Sequence, residues 1–289
     1  MHEGNPVGLR SRLETDRYAL IGHPVSHSWS PFIHGMFAKQ TGRELQYRLI
    51  DAAPAEFERA AREFLGGGGR GLNITVPHKP QAVALADELS PRARRAGAVN
   101  TLAWSTSGGL LGDNTDGAGL LVDLTDNIGL ALAGRRILLL GAGGASRGVI
   151  GPLLDAKPAS LHIANRTVAK AAELAEFFAA DGPVSASDFA AVPDGPYDLV
   201  INATSASLSG DLPPLPAHCI GPLTVAYDMA YAKEQTPFER QAAALGAAAT
   251  HGGWGMLVEQ AAEAYRLWRG IRPATALVLS LLKQPSRTA

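Results

Sequence analysis

The sequence predicts an α/β fold with two α/β domains, each built on a mainly parallel sheet. Three observations lead to this prediction. Short apolar strands alternate with helical segments from Tyr18 to Val76, the same alternation starts again at Arg135, and a glycine-rich loop follows the first strand of the second stretch. Alternating strands and helices are typical of βαβ units, whose parallel strands share one sheet. The glycine-rich loop gives the second domain the character of a Rossmann-type fold.

The first stretch begins with a short buried strand from Tyr18 to Gly22. Ser30 then supplies an N-cap and Pro31 an N1 proline, which predicts a helix to about Gln40. The elements predicted after this helix are a strand at 46–51, a helix at about 54–65, a glycine-rich loop at 66–69 and a strand at 71–76.

Lys79 lies just after this last strand. Pro77 and Pro80 bracket it, so the lysine should stand between the carboxyl end of the strand and a helix to about Leu89. The predicted elements that follow are a helix starting at 90–91, a strand at 98–104, a turn at 107–109 and a strand at 110–111. They bring Asp116 to the same rim, where open α/β sheets bind their ligands.

The second stretch repeats the pattern. Its predicted strands are 136–140, 160–164, 198–202 and 223–227, with helices between them. From Gly255 onward, apolar residues recur at helical spacing, which predicts a C-terminal helix that packs back onto the first domain. We therefore expect a first domain at 1–115, completed by helices within 252–289, and a second domain at 116–251.

Composition argues against several classes of partner. With 289 residues, 46% hydrophobic residues and a formal net charge of -1, the chain can bury a sizeable core. It carries no basic stripe for a nucleic acid or an anionic membrane. The expected partner is a small molecule, and the oligomeric state, a homodimer included, stays open.

The single cysteine, Cys219, can form neither an intramolecular disulfide nor a cysteine-based metal site, which fits a reducing cytoplasm. The sequence shows no cationic leader with an apolar core and no apolar run near the roughly 20 residues of a membrane span. We therefore expect a cytoplasmic protein. The eight histidines show no metal-ligand spacing, so no metal is expected.

The glycine-rich loop at 141–146 follows a buried strand and opens a helix. Its small residues permit a tight turn and let a pyrophosphate approach the helix N–H groups. The candidate contacts are Gly141, Gly143, Gly144 and Ala145. Some loops of this kind are ordinary turns, but the flanking strand and helix favour a nucleotide site.

The loop at 165–167 bears on which cofactor is bound, NAD(H) or NADP(H). Where an NAD-binding protein carries an acidic residue, this chain has Asn165, Arg166 and Thr167. A guanidinium and a hydroxyl can hold a 2′-phosphate, and Lys170 adds a further charge one helical turn later. The loop favours NADP(H) over NAD(H). The alternative is a helix start capped by Thr167 with two solvated cations.

Lys79 and Asp116 form a candidate acid/base pair. Reduction of a ketone builds negative charge on its oxygen as hydride arrives, and a lysine ammonium can stabilise that charge and donate the proton. An adjacent carboxylate would orient the lysine. This chemistry indicates a carbonyl/alcohol oxidoreductase. The alternatives are a solvated lysine and an aspartate that caps the helix beginning at Gly117.

Several polar side chains beside the same rim suit a hydroxylated, carboxylated substrate. Those suited to ring hydroxyls are Asn73, Thr75 and Asn100, and those suited to a carboxylate are Ser28 and Ser30. Gln260 lies on the otherwise apolar stripe of the last helix and needs a partner, either the substrate or another helix. Each of the other polar residues could instead satisfy local backbone groups.

From about Tyr18 to Leu282 the chain resembles the shikimate/quinate dehydrogenase family. The matching segments are 27–31 (HSWSP), 73–79 (NITVPHK), 98–101 (AVNT), 112–117 (GDNTDG), the loop at 141–146, 165–167 (NRT), 202–205 (NATS) and 253–257 (GWGML). The chain departs from the family pattern at Trp29, at Ala206-Ser207 and at Gly252, which bears on loop conformation and cofactor affinity.

The resemblance implies reversible, NADPH-dependent reduction of 3-dehydroshikimate to shikimate in aromatic amino-acid biosynthesis, with Lys79 and Asp116 as the catalytic pair. It implies that C-terminal helices complete the first, substrate-binding domain. The substrate contacts that it implies are Ser28, Ser30 and Tyr231 at the carboxylate and Thr75, Asn100 and Gln260 elsewhere. Beside the cofactor it places Met229, Gly253 and Met256, the two methionines near the nicotinamide.

Two alternatives stay open. One is a quinate/shikimate dehydrogenase that prefers NAD, which Arg166 opposes. The other is a nucleotide-sensing module that keeps the glycine loop without chemistry, which the intact pair of Lys79 and Asp116 opposes.

Overall fold

Two six-stranded sheets organise the computed structural model, which describes residues 15–204, 206, 211–212 and 214–282. Helices cover both sheets, so the predicted two-sheet α/β architecture is confirmed. No helix in this described part of the chain has the length and apolar character needed to cross a membrane.

The first sheet has the strand order β2-β1-β3-β5-β6-β4. Its strands are β1 Asp16–Gly22, β2 Leu45–Asp51, β3 Gly69–Ile74, β4 Glu88–Leu89, β5 Thr101–Trp104 and β6 Leu110–Asp113. Strand β5 runs antiparallel to β3 and β6, and the other pairs are parallel. The helices that accompany it are α1 Ser30–Thr41, α2 Phe57–Gly66 and α3 Pro91–Ala96.

The second sheet is parallel throughout, with the order β12-β11-β10-β7-β8-β9. Its strands are β7 Arg136–Leu140, β8 Ser160–Ala164, β9 Val184–Ser187, β10 Leu199–Asn202, β11 Val225–Asp228 and β12 Ala249–Gly252. The helices in this part are α4 Asp116–Val122, α5 Gly144–Asp155, α6 Val168–Phe177 and α7 Pro237–Ala244. Strand order reverses between β7 and β10, where doubly wound sheets bind nucleotides.

Two C-terminal helices return to the first sheet, and the helical spacing from Gly255 predicts the first of them. These are α8 Trp254–Arg269 and α9 Ala276–Leu282. Val258 and Tyr265 of α8 and Leu279 of α9 share an apolar cluster with Ile33 and Phe37 of α1. Each of these side chains is at most 7% exposed, so hydrophobic burial holds the last helices on the first sheet.

Two local predictions are wrong. The helix expected from Pro80 to about Leu89 is only a 3-10 turn at Gln81–Leu85, because β4 then pairs with β6. Asp87 supports this pairing: its N–H donates to the Leu110 carbonyl at 2.8 Å and its carboxylate accepts from the Leu110 N–H at 2.7 Å. Ser30 is the first helical residue rather than the N-cap, and its N–H donates to the Ser28 hydroxyl at 3.2 Å.

A network of ion pairs fastens α8 to the first sheet. The Arg92 guanidinium donates to both carboxylate oxygens of Asp113, each at 2.6 Å, and to Glu263 of α8 at 3.0 Å. Hydrogen bonds from Arg266, and secondly from Arg92, hold the pKa of Glu263 at about 2, below its ordinary 4.5. The pair network therefore depends on an ionised Glu263.

We expect Glu263→Gln to lower the free energy of unfolding by about 1 to 3 kcal/mol near neutral pH. Because the pKa of Glu263 is lower in the folded chain, its contribution is complete above about pH 4.5 and is lost as the pH falls towards 2. Urea unfolding across this pH range should show that the difference in free energy of unfolding between wild type and the variant becomes smaller as the pH falls. Glu58→Gln, which removes an exposed partner of Arg62, is the control and should leave stability nearly unchanged.

Candidate active site

Lys79 and Asp116 meet between the two sheets. Lys79 lies in the loop after β3, and Asp116 is the first residue of α4. The lysine Nζ donates to Asp116 Oδ2 at 2.6 Å, and the two side chains are only 12% and 6% exposed. The lysine is therefore not a solvated loop residue. Thr115, rather than Asp116, holds the cap position, so the capping alternative for this aspartate does not apply.

The loop that carries Lys79 is fixed on both sides. The Val99 N–H donates to the Lys79 carbonyl at 2.9 Å. The neighbouring His78 is fully buried, stacks on Phe57 with ring centroids 4.4 Å apart, and places its Nε2 2.8 Å from the Ala52 carbonyl. The lysine backbone is thus anchored while its side chain reaches the aspartate.

Asn100 holds the second oxygen of Asp116. Its Nδ2 donates to Asp116 Oδ1 at 2.8 Å and to the Thr115 hydroxyl at 2.9 Å, while its Oδ1 accepts from the Thr115 N–H at 2.8 Å. Asn100 is 2% exposed. Both carboxylate oxygens therefore have a hydrogen-bond donor, and the two contacts fix the orientation of the carboxylate.

The two serines lie together with Tyr231, which follows β11 of the second sheet. Ser28 Oγ lies 3.1 Å from Ser30 Oγ. Burial raises the pKa of Tyr231, and hydrogen bonds to the Ser28 side chain and the Trp29 backbone act in the opposite direction. Three hydroxyls from the two sides of the molecule therefore converge on one place.

Thr75 and Gln260 also lie near this rim. The Thr75 N–H donates to the Ile21 carbonyl at 2.9 Å, which fixes the residue beside the end of β1. Gln260 of α8 donates to the Leu257 carbonyl at 2.8 Å, and its Oε1 lies 3.4 Å from the Thr115 hydroxyl. The interhelical contact considered for Gln260 is thus present, next to the aspartate.

The glycine loop adjoins the acid/base pair. Gly141 has a φ of +108°, which L side chains rarely adopt, and buried Ser146 donates to its carbonyl at 2.9 Å. A Cβ added at Gly144 would lie 3.6 Å from the Lys79 Cβ. The amino-terminal end of the 12-residue helix α5, where Ala145 lies, therefore stands beside the lysine.

The loop after β8 presents free cations. Arg166 and Lys170 are exposed and form no ion pair within the described residues. Thr167 occupies the cap position of α6, but its hydroxyl makes no capping bond. The Asn165 amide donates to the Thr167 carbonyl at 2.9 Å and shapes the turn. Thr167 therefore occupies the N-cap position that the alternative requires, but its hydroxyl does not cap the helix.

The end of β11 and the start of α8 are joined tightly. The Gly253 N–H donates to the Ala230 carbonyl at 2.8 Å, and a Cβ at Gly253 would lie 2.4 Å from the Met229 carbonyl. The Met256 N–H lies 3.4 Å from the hydroxyl of Tyr227. Met229 and Met256 therefore flank one junction.

Sequence reasoning missed a buried pair beneath this junction. The Tyr227 hydroxyl donates to Asp123 at 2.7 Å, and the two side chains are 0% and 2% exposed. A Cβ at Gly255 would lie 1.7 Å from the Asp123 carboxylate, so only glycine fits there. The carboxylate faces the amino-terminal turn of α8, where the helix dipole favours it. A carboxylate in an otherwise helical stretch gave no sequence signal of this partner.

Substitution of Gly119 by alanine tests how closely α4 packs on α8. Gly119→Ala should lower the free energy of unfolding by about 2 to 4 kcal/mol, because its Cβ would lie 2.6 Å from the Gln260 backbone nitrogen. Gly35→Ala, in open space on α1, is the control and should be neutral or stabilising by about 0.5 to 1 kcal/mol. Equal thermal stability of the two variants would contradict the close packing of α4 on α8.

Three family models match the chain. Residues 20–102 match the shikimate dehydrogenase substrate binding domain, residues 123–209 match shikimate / quinate 5-dehydrogenase, and residues 253–283 match the shikimate 5'-dehydrogenase C-terminal domain. The three matches follow one another along the chain.

Similar proteins cover nearly the whole chain. A shikimate dehydrogenase (NADP(+)) of Methylococcus capsulatus is 55% identical over 96% of this chain and 99% of its own length. A shikimate 5-dehydrogenase of Thermus thermophilus, solved in complex with NADP(H) and shikimate, is 35% identical over 93% of this chain and 99% of its own, with a TM-score of 0.82. A 5-ketofructose reductase of Gluconobacter is 29% identical over 94% and 99%, with a TM-score of 0.81.

Proposed function

The chain belongs to the shikimate dehydrogenase family, and we propose that it catalyses the reversible NADPH-dependent reduction of 3-dehydroshikimate to shikimate in aromatic amino-acid biosynthesis. The observation that carries the proposal is the 2.6 Å contact between Lys79 and Asp116, buried beside the glycine loop. A bound NADPH supplies the hydride, and the chain must supply the proton.

Lys79 serves as the proton donor in the reduction. Its ammonium stabilises the negative charge that develops on the carbonyl oxygen and transfers a proton to that oxygen. In the oxidation of shikimate the neutral amine takes the proton from the hydroxyl. Asp116, held by Asn100 at 2.8 Å, directs the lysine side chain and balances its charge.

The substrate lies between the acid/base pair and the serines. Ser28, Ser30 and Tyr231 offer three hydroxyl donors to the substrate carboxylate. Together the three hydroxyls can satisfy both oxygens of a carboxylate, the group that shikimate carries. Around the ring, the contacts we assign are Thr75, Asn100 and Gln260.

Residues at the amino-terminal end of α5 and in the neighbouring loops would hold the cofactor. We assign the pyrophosphate to Gly141, Gly143, Gly144 and Ala145, the 2′-phosphate to Asn165, Arg166, Thr167 and Lys170, and the nicotinamide side to Met229, Gly253 and Met256. The positive φ of Gly141 supports this assignment, as does Arg166, which forms no ion pair among the residues that the structure describes, because a phosphate needs close backbone approach and a free cation.

We divide the chain into a substrate-binding domain at 1–115, completed by 252–289, and a nucleotide domain at 116–251. The described strands of the first sheet end by Asp113, and those of the second sheet run from Arg136 to Gly252, one residue past the proposed boundary. The packing of α8 and α9 on α1 supports the assignment of the C-terminal segment.

Lys79→Ala should lower kcat for shikimate oxidation by on the order of 10² to 10⁴, with a smaller change in KM, because proton transfer and charge stabilisation are lost together. NADPH absorbance measures the rate. Lys39→Ala, on the exposed last turn of α1, is the control and should retain wild-type rates. Wild-type kcat in the Lys79 variant would contradict the proposed function.

Arg166→Ala should raise KM for NADP by roughly 10- to 100-fold and leave kcat within a few-fold, because the charge contacts the 2′-phosphate only. Arg62→Ala, an exposed arginine of α2, is the matched control. Initial rates with quinate and NAD should be measured alongside. Faster turnover of wild type with quinate and NAD than with shikimate and NADP would favour the alternative enzyme.

A further inference from the structure

The side-chain amide of Asn100 has one orientation. The backbone N–H of Thr115, which can only donate, points at Asn100 Oδ1 from 2.8 Å. Oδ1 is therefore the acceptor, and Nδ2 is the group that donates to Asp116 at 2.8 Å. A backbone group thus fixes which end of the amide meets the carboxylate.

This orientation sets the direction of three further hydrogen bonds. The Thr101 hydroxyl lies 2.9 Å from Asn100 Oδ1 and must donate to it. The same hydroxyl then accepts from Asn73 Nδ2 at 3.1 Å, which leaves Asn73 Oδ1 to accept from the Tyr47 hydroxyl at 2.8 Å. Every hydrogen in this relay, from Tyr47 through Asn73, Thr101 and Asn100, points towards Asp116.

The relay lies inside the first sheet. Asn73 of β3 and Thr101 of β5 face each other in the antiparallel register and are 5% and 0% exposed. The amide of Asn73 is hydrogen-bonded on both sides, to Thr101 and to Tyr47, which suits a supporting role in this relay. At the far end, burial raises the pKa of Tyr47, while a hydrogen bond with Ser30 acts against it.

We propose that Asn73 and Thr101 are positioning residues for the reaction, which hold the Asn100 amide on Asp116 and connect that carboxylate to the serine end of the site through Tyr47. This inference rests on the proposed function. Aligned hydrogen bonds polarise one another at low dielectric, so the relay stabilises the negative charge that orients Lys79. Neither residue contacts the reacting atoms.

Thr101→Val keeps the shape of the side chain and breaks the relay. We expect kcat for shikimate oxidation to fall about tenfold, with KM for NADP unchanged within about twofold. Thr101→Ser restores the hydroxyl and should bring kcat back to within about twofold of wild type. Thr224→Val is the control, because it removes an equally buried threonine hydroxyl that donates to the Tyr197 carbonyl at 2.6 Å, away from the site.

A double-mutant cycle tests the connection to Tyr47. Tyr47→Phe alone should lower kcat about threefold and should have little further effect in the Thr101→Val background, because the relay is already broken there. Full additivity of the two losses, wild-type kcat in Thr101→Val, or a failure of Thr101→Ser to rescue would overturn the inference. Absence of shikimate turnover by the wild-type protein would instead overturn the proposed function.

Discussion

The position of the Asp116 carboxylate depends on the close approach of three helices. Gly117 of α4 lies against α5, where an added Cβ would be 2.4 Å from the Gly148 carbonyl. Gly119, also of α4, lies as closely against Gln260 of α8. Side chains at these positions would force the helices apart and move the carboxylate away from Lys79. Backbone packing, together with the hydrogen bonds from Lys79 and Asn100, therefore sets the position of Asp116.

The buried carboxylates near α8 each have hydrogen-bond or ion-pair partners. Asp123 is held by Tyr227 and by the amino-terminal turn of α8, and Glu259, 1% exposed, pairs with Arg272 at 2.6 Å. The Asn127 amide donates to both carboxylates, at 3.0 and 3.2 Å. A buried carboxylate without such partners is costly, so these contacts tie α8 to the end of β11.

The sequence predicts the architecture well where local patterns decide it. Strands β7 and β8 have the bounds that the sequence predicts, because parallel strands buried on both faces are mainly apolar, here as Ile137–Leu140 and as Leu161, Ile163 and Ala164. Strands β9 and β12 were not predicted, since each is four residues long and only partly buried. The two-residue strand β4 exists only through its pairing with β6, which no local pattern reveals.

In the candidate site, too, local patterns predict some features, and others depend on contacts between distant parts of the chain. Lys79 and Asp116 follow strands that share a rim, so their proximity follows from the rule for ligand sites in open sheets. Thr101 and Tyr227 have the appearance of ordinary strand residues, and only their three-dimensional neighbours show what their hydroxyls do. Pairwise contacts across the sheet are set by register, which a single sequence does not specify.

The two cationic side chains that follow β8 contribute little to the protein's stability. Arg166 and Lys170 are exposed and make no ion pair in the part of the chain that the structure describes. Replacing them therefore leaves the sheet and its core intact. Substitutions at these two positions, which we propose to hold the 2′-phosphate, would therefore alter the preference between the two dinucleotides while the fold is kept.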